Sequence, residues 1–159
     1  MARLNWGLVG GGKGSQIGPA HLLGARADGN FVLAAGALDV DAERGRAYAA
    51  ELGVAPDRAY ADWQEMLAGE KARDDRVDLV TVATPNSTHF EITKAFLEAG
   101  FSVLCEKPMT MTVEEGEEIV KVARASGKIC AVNYCYSACL LYTSPSPRDL
   151  STSRMPSSA

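Results

Sequence analysis

The chain is expected to fold as a single α/β domain built on a doubly wound parallel sheet. Three observations predict this. Short apolar runs alternate with helical patterns along most of the 159 residues, the mark of repeated strand–helix–strand units. Some of those runs, such as Leu79-Val80-Thr81-Val82-Ala83, are nearly continuous, as in strands covered on both faces. The first run also passes directly through a glycine-rich turn into a helix.

That first strand is expected over Asn5–Val9. The segment Gly10-Gly11-Gly12-Lys13-Gly14-Ser15-Gln16-Ile17-Gly18 follows, and a helix is expected over Pro19–Arg26, with proline suiting the first turn. Strand, glycine turn and helix together present backbone N–H groups and the positive end of a helix dipole to a phosphate. Glycine is needed because a Cβ would block the tight turn and the approach of a pyrophosphate. The candidate phosphate-side residues are Gly10, Gly12, Lys13, Gly14, Ser15, Ile17 and Gly18. The loop does not fit G-x-G-x-x-G: Ser15 stands at the third position and the next helix-side glycine is Gly18, a lengthening of about three residues. A glycine turn with no ligand is the alternative on the loop alone.

The second strand, Phe31–Leu38, ends at Asp39. A carboxylate there can accept hydrogen bonds from the adenosine ribose hydroxyls of NAD and repels a 2′-phosphate. Arg44 and Arg46 keep NADP open. The alternative is that Asp39 or Asp41 caps the helix Ala42–Leu52; the ribose role goes to Asp39 and the cap to Asp41. A short strand can form near Ala59-Tyr60. Asp62 can cap a helix running to Ala68.

The third main strand, Val77–Ala83, leads into Thr84-Pro85-Asn86-Ser87-Thr88-His89, and a helix is expected over Ser87–Ala99, stopped by Gly100. The strand Ser102–Cys105 leads into Glu106-Lys107-Pro108. Open α/β sheets bind ligands at these carboxyl ends. Thr84 and Asn86 can hydrogen-bond ribose or amide groups, and Lys107 puts a mobile ammonium at a strand tip. The plain alternatives are a solvated Glu106–Lys107 pair and a His89 on the polar face of its helix. Thr112 and Glu115 have capping-box spacing at the start of Val113–Ser126. A last strand is expected over Ile129–Asn133.

A net charge of −4 with no basic stripe argues against nucleic acid as a partner. No apolar run is long enough for a bilayer, and Met1-Ala2-Arg3 leads straight into a strand without a secretory pattern. The cysteines, Cys105, Cys130, Cys135 and Cys139, form no C-x-x-C pair. A reduced, cytoplasmic chain with neither disulfides nor a metal site is the expectation.

Residues 1–138 are expected to form the domain, and residues 139–159 break its pattern. Periodicity vanishes there and Ser and Pro dominate, the composition of a disordered extension. The DNA of a widely used transposase sequencing adapter translates to Cys139–Asp149, and its continuation to Ser153–Ala159, with index bases supplying Leu150, Ser151 and Thr152. The tail is therefore expected to be translated adapter, and the domain in front of it a fragment.

Taken in order, the glycine loop, Asp39, Ala83-Thr84-Pro85-Asn86 with His89, and Glu106-Lys107-Pro108 resemble the N-terminal domain of the Gfo/Idh/MocA family, the glucose–fructose oxidoreductase and inositol dehydrogenase group. The resemblance covers roughly residues 3–133. It implies a Rossmann fold that binds NAD, with NADP open. It also implies an oxidoreductase acting on a small sugar or polyol by hydride transfer. Lys107 then corresponds to the catalytic lysine beside the nicotinamide and the substrate hydroxyl. Glu106 resembles the residue supporting the nicotinamide ribose and that lysine. Thr84, Pro85, Asn86 and His89 resemble the loop that closes on the cofactor, and Asn133 joins the cofactor set. The family's acid/base Asp–His pair, on a second domain, has no counterpart here, since His21 and His89 are the two histidines. Homo-oligomers are implied only with that second domain. Two other functions compete. A nucleotide sensor of the same fold has no need of Lys107. A methyltransferase using S-adenosylmethionine predicts nothing for Glu106-Lys107-Pro108.

Overall fold

The structure is a computed structural model, and it describes residues 3–27 and 29–135. The adapter expectation for 139–159 lies outside the described residues. In chain order the elements are β1 (Leu4–Gly10), α1 (Gly18–Ala27), β2 (Phe31–Ala37), α2 (Ala42–Glu51), α3 (Trp63–Lys71), β3 (Leu79–Ala83), α4 (His89–Glu98), β4 (Ser102–Glu106), α5 (Val113–Ser126) and β5 (Cys130–Asn133). Single 3-10 turns lie at Pro56–Arg58 and Asn86–Thr88. The expected doubly wound sheet is present: five parallel strands in the order β2-β1-β3-β4-β5.

Parallel neighbours require long crossovers, and each is supplied by a helix. Both faces are thereby covered. Along β1, Leu8 is 0% exposed and Val9 2%, yet their side chains point to opposite faces. Leu8 packs in one cluster with Trp6, Leu22, Leu38, Ala49 and Val54. Val9 packs in the other with Met66, Val80, Val82, Ile92, Phe96 and Val103. Phe96 and Phe101 close this second core edge to face, with ring centroids 5.7 Å apart. Continuous apolar runs follow from burial on two sides.

Beyond β2, Ala59 forms a single parallel bridge with Gly36, and Tyr60 N donates to Gly36 O at 2.9 Å. The short strand foreseen near Ala59-Tyr60 is thus reduced to one bridge. The caps lie where the sequence puts them. Asp41 Oδ1 accepts from Arg44 N at 2.9 Å, Asp62 Oδ1 from Glu65 N at 2.7 Å and Thr112 Oγ1 from Glu115 N at 3.2 Å. One boundary differs in kind. The expected helix over Ser87–Ala99 begins as a 3-10 turn, because Thr88 Oγ1 bonds Pro85 O and Thr84 Oγ1 at 2.8 Å instead of capping α4.

The chain passes from β1 to β2 on one side and then crosses back past β1 to β3 on the other. The crevice at the carboxyl ends of the strands therefore opens at β1, at the switch point of the sheet. Among the described residues no helix is long and apolar enough to cross a membrane.

Candidate functional site: a cleft at the carboxyl edge of the sheet

The loop after β1 is shaped by two close approaches. A Cβ on Gly12 would lie 2.4 Å from Leu38 O and 3.2 Å from Asp39 Oδ2, so only glycine lets the loop lie against the end of β2. A Cβ on Gly18 would lie 2.1 Å from Gly11 O, so this glycine permits the packing of α1 against the loop. The lengthened fingerprint is resolved in this way: the helix-side glycine of the motif is Gly18, and the extra residues sit between it and Gly12. Ser15 Oγ accepts from Gly18 N at 3.1 Å and Ser15 N donates to Gly12 O at 2.9 Å. Gly11 N donates to Ala83 O at 3.1 Å, fastening the loop to β3.

The loop forms the floor of a cleft of about 820 Å³, within the usual range for a ligand site. Of the residues expected there, Gly10, Gly12, Lys13, Ser15 and Ile17 line it from the loop. Asp39 lines it from β2. Thr84, Pro85, Asn86 and His89 line it from beyond β3, and Glu106 and Lys107 from β4. Gly14 and Gly18 do not line it: a Cβ added to Gly14 would meet nothing within 4 Å, and Gly18 packs behind the loop. Asn133 touches it only through Glu106.

At the β2 side, Asp39 accepts from Arg44 through both oxygens, at 2.6 and 2.7 Å, and from Asp41 N at 3.0 Å. These bonds, Arg44's first, pull its carboxyl down to about 2. Its side chain is 12% exposed, whereas that of Arg44 is 59% exposed. A carboxylate offers about four acceptor positions, so Oδ2, the oxygen facing Gly12, keeps one. Arg46 turns away to Ala59 O and Glu65. Lys13 pairs with Glu51 at 2.7 Å with both side chains more than half exposed, a weak tie that leaves its ammonium movable.

At the β3–β4 side, His89 is neither a surface residue nor a free ligand. It is 1% exposed, with Nε2 at 2.8 Å from Thr84 O and Nδ1 at 2.7 Å from Pro108 O. The ring braces the Thr84-Pro85-Asn86 loop to the Lys107–Pro108 turn, whose peptide is cis. Glu106 is buried. Its Oε1 accepts from Asn133 Nδ2 at 2.5 Å and lies 2.9 Å from His21 Nε2, while Oε2 takes Lys107 N at 3.2 Å. Lys107 is exposed, and its ammonium has no partner among the described residues. Glu106 and Lys107 do not pair with each other through their side chains, so the solvated-pair alternative is not what forms.

Sequence reasoning missed His21, Val40 and Trp63. Val40, 97% exposed, and Trp63 both line the cleft at the β2 side. Their positions just after a strand tip and at the entry to a helix were the available signal, since such loops line the crevice. Nothing local marked His21, whose contact lies 85 residues away.

A family model described as an oxidoreductase family with an NAD-binding Rossmann fold matches residues 4–134. The chain is 50% identical over 135 residues to the uncharacterized oxidoreductase YfiI of Bacillus subtilis, covering 84% of this chain and 34% of that protein. It is 38% identical over 130 residues to the 1,5-anhydro-D-fructose reductase of Ensifer adhaerens, covering 81% and 35%. Among solved structures, an inositol dehydrogenase homolog from Azotobacter vinelandii, complexed with NADH and myo-inositol, superposes with a TM-score of 0.85 at 45% identity, covering 88% of this chain and 37% of that one. The chain thus spans about a third of the length of the relatives it matches.

Proposed function

The chain belongs to the Gfo/Idh/MocA oxidoreductase family, with its NAD-binding Rossmann fold, and from this we propose that its cleft holds NAD as the cofactor half of a sugar or polyol dehydrogenase. The observation that carries the reading is a single cleft lined in sheet order by Asp39, the glycine loop, Thr84 and the Glu106–Lys107 tip. Three inter-strand spacings of about 4.8 Å separate β2 from β4, which suits an extended dinucleotide lying across the strand ends.

The donor set fits the cofactor. Gly12 and Gly18 let the loop lie close against the end of β2 and against α1, where a Cβ would not fit. The N-terminus of α1 and the loop amides would hold the pyrophosphate. Asp39 Oδ2 would accept from a ribose hydroxyl, with Val40 and Trp63 beside the adenine. When bound, the nicotinamide supplies the hydride-accepting carbon. Lys107 puts a positive charge at the mouth, where it can steady the negative charge that develops on a substrate oxygen. His89 and Glu106 hold in place the backbone that carries Lys107. The substrate class comes from the relatives: an anhydro-sugar reductase and an inositol dehydrogenase homolog are both similar to this chain.

Titration of the chain with NAD and NADP tests the reading. NAD is expected to bind more tightly, because the charge of Asp39 opposes a 2′-phosphate. Asp39→Ala should weaken NAD by about tenfold, the loss of roughly one charged hydrogen bond, and leave NADP unchanged or tighter. Tighter binding of NADP by the unaltered chain would defeat the assignment of Asp39.

A further inference from the structure

We propose that His21 is a positioning residue for the nicotinamide end of the cleft, acting through Glu106. The inference rests on the cofactor reading above. His21 lies in the first turns of α1, and its Nε2 sits 2.9 Å from Glu106 Oε1, with both side chains under 10% exposed. Asn133, the last residue of β5, donates to the same oxygen. Two side chains from opposite ends of the domain's sequence thus converge on one carboxylate oxygen.

Glu106 Oε2 is treated differently. Among the described residues its donor is the backbone N of Lys107, at a longer 3.2 Å. With Oε1 held by two donors, the carboxylate cannot rotate, and Oε2 is the oxygen left to receive a hydroxyl or ammonium from the cleft. A free Glu side chain would have to be ordered by each ligand that used it. Here His21 and Asn133 order it beforehand, and preorganisation of this kind raises affinity without a new contact. The two residues stand outside the cofactor cleft and line a second cavity, on the far side of Glu106. They reach the ligand only through that carboxylate.

A purely structural role, a tie between α1 and β4, makes a different prediction. It would disturb the glycine loop together with α1 and weaken every ligand of that loop alike. The test compares NADH with ADP, which lacks both the nicotinamide and its ribose but keeps the diphosphate, on the chain and on His21→Leu, which keeps the bulk and removes the donor. Positioning predicts that His21→Leu weakens NADH by about fivefold or more and changes ADP by less than about twofold. His21→Gln, whose amide N–H can restore the donor, should recover most of the NADH affinity. If His21→Leu does not fold, Asn133→Leu removes the other donor to the same oxygen and should show the same selective loss. Equal loss of both probes, or no loss of either, overturns the proposal. Failure of the unaltered chain to bind either probe overturns the cofactor reading, and the proposal with it.

Discussion

At the scale of single residues, the cleft is a set of groups whose partners fix their direction. Asp39 is the clearest case. Its position at the end of a strand was legible in the sequence, but its bidentate bond to Arg44 was not, since a lysine or a solvated arginine would read the same way. The bond has a pH consequence. Arg44, then the amide of Asp41, holds the folded carboxyl at about 2, below the unfolded value near 4. A depressed folded pKa means a stabilising contribution that is complete above about pH 4 and lost as the pH falls toward about 2. Asp39→Asn should therefore flatten the acid-unfolding curve in that window. Parallel curves for the two proteins would show that Asp39 adds nothing there. His89 teaches a related lesson. Its place near the start of a helix suggested a polar face, and burial between two carbonyl oxygens of different loops could be known only from the fold.

At the scale of elements, the strands and helices were largely legible because their signals are local. Thr112, Asp62 and Asp41 cap their helices through bonds to residues three positions on. What escaped the sequence is the device at the β2 edge. Arg58, 7% exposed, gives two bonds to Glu70, which is 0% exposed, at 2.6 and 3.0 Å. Tyr60 Oη and Val77 N also donate to Glu70. The network ties the Pro56–Arg58 turn, α3 and the lead into β3 together, and so sets the loop that brings Asp62 and Trp63 to the cleft. Burial first, then the negative charge of Glu70, pushes the Tyr60 phenol up to about 12. In sequence these residues sit among so many charges that they read as surface. Glu70→Leu alone leaves the buried Arg58 with only its longer contacts to Asp75, at 3.3 and 3.4 Å, and should lower the unfolding free energy by about 3 kcal/mol, read from urea denaturation. The double change Arg58→Met with Glu70→Leu should recover much of it. Equal stability of Glu70→Leu and the unaltered chain would remove the network from the account of this edge.

At the scale of the whole molecule, winding to both sides of β1 places five separate segments around one opening. The proposed role of Lys107 toward a substrate is read in a longer protein, since the chain spans about a third of the length of the relatives it matches. In a longer protein carrying this domain, Lys107→Ala should lower turnover by about 100-fold, the scale of a lost transition-state charge contact, while NAD affinity changes little. Unaltered turnover would take Lys107 out of the chemistry. The sequence by itself determined the alternation of strand and helix, the parallel sheet, the strand tips and the chemistry-bearing residues on them, because periodicity, caps and turns depend on neighbours a few residues apart. Only the tertiary structure decided that Gly18 packs against Gly11, that Arg44 occupies Asp39, that His89 braces two loops, and that His21 and Asn133 meet on Glu106. The contacts of His21 and Asn133 with Glu106 join residues 85 and 27 apart in the chain, and the shorter ones depend on loop conformations that exist only once the sheet has brought the strand ends together.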